Sequence, residues 1–318
     1  MTLRFGIYAG GLGEDAHREI TPGPPELSDR IAAALDTLHG AHPFVVRGYI
    51  QYRDADGGHR HAPPHPWQYA AEHRKLDLVL CFREPGDDLS GWLQFLRDQI
   101  REHGPVLTSL QIAEEPNHAG PGGDGAQRAV RQAVIDGVRA ARAEVDRLGL
   151  DVRIGCNSSV IIDPAQEFWT DLGRRGGSEF AEALDYVGLD LFPDVFRPIP
   201  PENLEAAITA VLTGFRRESL AAAGIPEATP VHITENGWAT GPNRSYERQA
   251  EVLETVVRTV DGLSADLGIT TYEHFALRDS YSDQGDMNLE FGLLRSDYTP
   301  KPAFDRYREL IAKYSTPA

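Results

Sequence analysis

The stretch VHITENGWATGPNRSYERQAEVLETVVRTVDGLSADLGITTYEHFAL, residues 231–277, contains the unit from which the chain is built. Val231–Thr234 reads as a short apolar strand. Residues 245–267 read as a helical stretch with Ser245 placed to cap it, and Thr270–Leu277 as the next strand. Strand, covering helix and strand make a parallel βαβ unit. The alternation runs through the whole chain. Further candidate strands are Leu3–Tyr8, Phe44–Tyr49, Leu76–Phe82, Leu107–Glu114, Val152–Asn157 and Tyr186–Phe192. Helical stretches fall at 27–39, 67–74, 90–103, 125–148, 165–175, 202–222 and 302–313, with Ser90 as a second N-cap. In 125–148, Val130, Val134, Val138, Ala141 and Val145 recur every three or four residues and form one apolar face. Eight strands alternating with eight helices predict a (β/α)8 TIM barrel, one domain over 1–318; a doubly wound open sheet is the competing architecture.

The chain has 318 residues and a net charge of −17. That length suits a barrel with a large core. The acidity speaks against nucleic acid or an anionic membrane as partner, since both require a positive patch; simple solubility accounts for it. The two cysteines, Cys81 and Cys156, sit in apolar strand-like runs and read as buried small side chains, not a disulfide. No leader-like segment and no run of eighteen apolar residues is present, so no membrane span is expected and the location reads as cytoplasmic.

A barrel carries its chemistry where strands end. The polar groups at those ends are Tyr8, Arg47 with Tyr49, Arg83, Glu114 with Glu115, Asn157, Asp190, Glu235 with Asn236, and His274. Two motifs stand out. Residues 231–238 deliver Glu235 from a short strand, followed by Asn236, Gly237 and Trp238. Residues 110–118, LQIAEEPNH, end a strand at Glu115 before Pro116. Two carboxyl groups facing each other across a barrel mouth suit a retaining glycosidase, in which they stand about 5–5.5 Å apart. One attacks the anomeric carbon; the other protonates the leaving oxygen and then activates water. This chemistry needs no metal and no cofactor.

The same residues resemble clan A glycoside hydrolases, retaining (β/α)8-barrel enzymes. Glu114-Glu115-Pro116 stands at the place of the clan's acid/base motif after strand four. Thr234-Glu235-Asn236-Gly237 stands at the place of its nucleophile motif on strand seven. Phe275–Asp279, Phe291–Leu294 and Lys301–Phe304 resemble its last strand, loop and final helix. The resemblance implies Glu235 as nucleophile, Glu115 as acid/base with a raised pKa, and Arg47 as the cation that keeps Glu235 ionised. Asn157, Asp190 and Trp238 then join a carbohydrate site, Trp238 by stacking on a sugar face. Three positions depart from the pattern. Glu114 replaces an asparagine, His274 stands near an aromatic that floors the site, and strand six, 187–193, lacks a tyrosine that touches the nucleophile. Glu114 is expected to face the pocket, the alternative being a structural ion pair to Arg83.

Other motifs carry less. Gly11 to Ala16 fits a dinucleotide fingerprint, but Pro22, Pro24 and Pro25 prevent the helix it must open. His59, His61 and His65 read as part of a solvated loop. Two rival functions remain. One is a metal-dependent, sugar-isomerase-like barrel using Glu115, Asp190, Glu235 and His274. The other is a carbohydrate-binding barrel without catalysis.

Overall fold

The computed structural model describes residues 2–11, 13–14, 20–21, 23–53, 59–84, 86–120, 122–161 and 167–315. Eight parallel strands close into a barrel: β1 (Arg4–Tyr8), β2 (Phe44–Tyr52), β3 (Arg74–Phe82), β4 (Leu107–Ile112), β5 (Arg153–Ser159), β6 (Tyr186–Leu191), β7 (Val231–Asn236) and β8 (Ile269–His274). Closure comes from β1, which pairs with β2 on one side and β8 on the other. The helices around it are α1 (Ser28–His39), α2 (Ser90–His103), α3 (Val130–Leu148), α4 (Phe168–Ala183), α5 (Leu204–Gly214), α6 (Tyr246–Leu267) and α7 (Pro302–Tyr314). None of the helices in the described residues is long and apolar enough to cross a membrane.

The helix expected at 67–74 does not form. Its place holds a 3₁₀ turn, Pro66–Tyr69, and a short strand, Arg60–Ala62, antiparallel to β2. The backbone is already extended at Ala70, and the next strand begins at Arg74, so the turn is not continued into a helix. The histidine segment is thus partly strand and not only loop, although residues 54–58 lie outside the described set. Part of the 11–16 glycine stretch lies outside it as well. Ser245 caps α6 by accepting the Arg248 N–H at 3.1 Å. At α2 the cap differs from the expectation: Ser90 is the first helical residue, and the Asp88 carboxylate accepts its N–H at 2.9 Å. Both cysteines are free and buried.

Strand alternation sorts the side chains into two layers. On β2, Val46 and Ile50 join the apolar layer under the helices. Arg47 and Tyr49 turn the other way, into the barrel. On β8, Tyr272 and His274 pack against Tyr307 of α7, at 6.1 and 5.4 Å between ring centroids. Phe275, beyond the strand, comes back to the inner side against Tyr8. The outer layer holds the hydrophobic core, and the interior near the C-terminal rim is polar and hydrogen-bonded.

Candidate active site

Both motif glutamates depend on broken strand geometry. In β4 a regular pleat places Gln111 inside and Ile112 under the helices, so Glu114 would follow Ile112 outward. The strand ends at Ile112 instead, and Ala113 takes φ 66° and Glu115 φ 38°, in the left-handed region. Glu114 therefore turns inward, with 5% of its surface exposed, and pairs with Arg47 at 3.2 Å. Arg83 pairs with Asp124 at 3.0 Å, so the ion pair that Glu114 makes is with Arg47 and not with Arg83. In β7 a bulge relative to β6 falls between Ile233 and Glu235. It brings the neighbours Thr234 and Glu235 to the same side, where a regular strand separates them.

Around these two breaks the side chains form one network. Arg47 donates to Asp77 at 2.5 Å, Gln111 at 2.9 Å and Glu114 at 3.2 Å, and its Nε reaches the Tyr49 hydroxyl at 2.8 Å. Tyr49 in turn donates a hydrogen bond to Glu235 Oε1. Gln111 Nε2 donates to Glu114 Oε2 at 2.7 Å. Asn157 has two roles: its Oδ1 accepts the Glu115 N–H at 2.9 Å, and its Nδ2 donates to Asp190 at 2.6 Å. Thr234 donates to the other oxygen of Asp190 at 2.6 Å. Beneath the β4 break, buried Asp124 accepts the N–H groups of Phe82 at 2.7 Å and Glu114 at 2.8 Å, which fixes the backbone at the turn.

The charges do not balance. Asp77, Glu114, Asp190, Glu235 and Glu273 all lie within the field of one buried cation, Arg47. Burial first, then the neighbouring Glu114 carboxylate, push Glu235 up to about 8, while Arg47 and the Tyr49 hydrogen bond oppose the shift. Asp190 is raised well above the ordinary range by burial and by Glu114, Glu235 and Glu115. Arg47 and Tyr49 together thus leave Glu235 above the ordinary carboxylate range, where the resemblance implied that Arg47 keeps it ionised. Its closest carboxylate contacts go to Asp77 and Glu114, and its Nε stays 3.7 Å from Glu235.

The expected residues separate accordingly. Arg47, Glu114, Asn157, Asp190 and Glu235 converge, and Glu115 borders them with its backbone on Asn157. His274 does not join them. It is 1% exposed under α7, and burial with the nearby Lys301 lowers its pKa to about 3, so it is neutral. Strand parity places it there. Trp238 is 5% exposed, its indole N–H donates to Asp194 at 3.2 Å, and the Arg244 guanidinium lies 3.7 Å over its ring. The guanidinium covers one face of the ring. The aromatic wall comes from residues without an assigned role in the sequence reading. Phe275 is half-buried and stacks on Tyr8 at 5.2 Å, and Tyr8 meets Tyr49 edge-on at 5.1 Å. The signal for Tyr49 was present: it stands two residues after Arg47 and so on the same strand face.

One oxygen from each of Glu114, Asp190 and Glu235 lies within 4.8 Å of the others, a spacing that could also hold a cation. The histidine of the sequence-derived metal set is absent from this group.

No protein-family model matches the chain, and no curated protein matches it. Solved structures do. A beta-glucosidase from Exiguobacterium antarcticum is 14% identical, with 99% of each chain covered and a TM-score of 0.68. A beta-glucosidase from Thermotoga maritima in complex with deoxynojirimycin is 12% identical over 99% of this chain and 98% of that one, with a TM-score of 0.66. Fungal beta-1,4-galactanase is 10% identical over 97% and 100%, with a TM-score of 0.62. The (β/α)8 barrel is shared with all three; identities this low establish the fold.

Proposed function

We propose that the chain is a retaining β-glycosidase in which Glu235 attacks the anomeric carbon and Glu115 serves as general acid and base. The observation that carries this reading is the delivery of Glu235 by the β7 bulge into the barrel mouth. There Tyr49 and Arg47 hold it, and the Glu114-Glu115 turn stands at the end of β4. Glu114 is tied into the network, since Arg47 and Gln111 both donate to its Oε2. Glu115 is more exposed, and Asn157 fixes its backbone at the end of β4. The likeness to beta-glucosidases and a galactanase supports a carbohydrate substrate.

In the first step the Glu235 carboxylate displaces the leaving oxygen, which takes the Glu115 proton, and a glycosyl ester forms on Glu235. In the second, Glu115 takes a proton from water, and that water's oxygen releases the sugar from Glu235. An activated 2-fluoro glycoside should trap the ester. Mass spectrometry of the digested protein is expected to place the sugar on Glu235; a label on another residue, or none, overturns the assignment.

A metal-dependent reading keeps one observation in its favour, the Glu114–Asp190–Glu235 oxygen group. It requires activity that chelators abolish and a divalent ion restores, whereas the glycosidase reading requires activity indifferent to both.

A further inference from the structure

Tyr49 is a neutral hydrogen-bond donor that joins the buried cation of this site to Glu235. Its hydroxyl accepts from Arg47 Nε at 2.8 Å and donates to Glu235 Oε1, while the direct Arg47–Glu235 approach is 3.7 Å. The phenol oxygen has a single proton, and the guanidinium on its acceptor side directs that proton at Glu235. The ring is fixed as well. Tyr8 meets it edge-on, Phe275 stacks on Tyr8, and Arg47 lies 5.2 Å from the Tyr49 ring centroid. Next to β7, β6 is followed by Phe192, which packs on Phe275 and Phe291 and has no hydroxyl to offer.

We propose that Tyr49 is a positioning residue for the nucleophile, a guanidinium-to-phenol-to-carboxylate relay supplied from β2 that aims Glu235 and favours its ionised form. The inference rests on the glycosidase reading above. Physically, the relay does what the 3.7 Å ion pair cannot. It fixes one oxygen of Glu235 in direction, leaving the other to attack, and it opposes the charge repulsion from Glu114. Without it, burial and Glu114 would act on Glu235 against Arg47 alone.

The test uses the full chain with Tyr49→Phe and with 3,5-difluorotyrosine placed site-specifically at 49. The first removes the donor and keeps the ring; the second is a stronger donor of nearly the same shape. Readouts are the rate of labelling by a 2-fluoro glycoside and the pH profile of kcat/KM. Tyr49→Phe is expected to slow labelling about 10- to 100-fold, the scale of a hydrogen bond to a charged group. It should also move the acid limb to higher pH. The difluorotyrosine protein should move that limb to lower pH. A packing role does not predict opposite shifts from two rings of similar shape. Labelling within twofold of wild type by Tyr49→Phe, with the same profile, overturns the inference. If that variant does not fold, an unmoved acid limb in the difluorotyrosine protein overturns it instead. A wild-type protein that forms no adduct on Glu235 overturns the glycosidase reading and this inference with it. A wild type that labels Glu235 while the Tyr49 variants behave like it overturns this inference alone.

Discussion

Among the cations buried in the described residues, Lys301 and Arg47 meet their carboxylates in different ways. Lys301, at the start of α7, has no exposed side-chain surface and meets Asp279 at 2.7 Å; Asp279 is equally enclosed. Every oxygen there has a donor: Asp279 also accepts the Gly292 N–H and the Ser282 hydroxyl, each at 2.8 Å, and Lys301 adds Thr240 at 2.9 Å. Asp279 is the carboxylate in direct contact, with buried Glu290 the other one in the field of Lys301, and the pair ties the segments after β7 and β8 to α7. At the barrel mouth Arg47 is as deeply buried, but five carboxyl groups share its field. Removing one partner of a buried pair leaves an uncompensated charge, which is strongly destabilising. An unbalanced cluster leaves protons at issue near neutral pH, which is what acid–base chemistry requires.

The strongest way to break this contrast is Glu235→Gln, which keeps the shape and removes the charge. Turnover of an aryl β-glycoside should fall by roughly four orders of magnitude or more, while the thermal midpoint holds or rises. Substantial residual activity would mean that the unbalanced site is not the chemical one. Glu115→Ala comes next, with a loss of about 10²- to 10⁴-fold on substrates with poor leaving groups. Substrates with good leaving groups should still form the glycosyl ester, and azide should restore their turnover; no azide effect would move the acid/base role elsewhere.

Lys301→Met tests the other centre. It leaves Asp279 buried without its cation, and chemical denaturation should show a loss of about 3–5 kcal/mol. The pH profile of the remaining folded enzyme should match that of wild type. A shifted profile would show that the two centres are coupled.

The smallest effect sharpens the comparison most. The acid limb of kcat/KM reports the free enzyme's nucleophile, so activity should fall as pH drops through about 8, where Glu235 gains its proton. Glu114→Gln removes the neighbouring negative charge and keeps an acceptor for Arg47. The folded pKa of Glu235 should then fall toward the ordinary carboxylate range, and the limb should move to lower pH. Movement in the opposite direction would show that Glu114 supports the ionised nucleophile.

The barrel was legible because its signals are local. Each apolar run and each amphipathic stretch declares itself within a dozen residues, and their alternation leaves few ways to close. Chemical identity was equally local: the residues at the strand ends named a polar rim and two carboxylates. Direction was not local. Period-two alternation decides between the site and the helix layer, and one irregular residue reverses it. His274 lies outside because β8 keeps continuous register with β1 from Thr271 through His274. Glu114 lies inside because Ala113 turns left-handed, and Glu235 because β7 bulges against β6. Sequence determined which groups arrive at the rim. Which of them face each other, and how many carboxyls share one arginine, was decided only when neighbouring strands set their register, since a bulge is a relation between two strands and neither contains it alone.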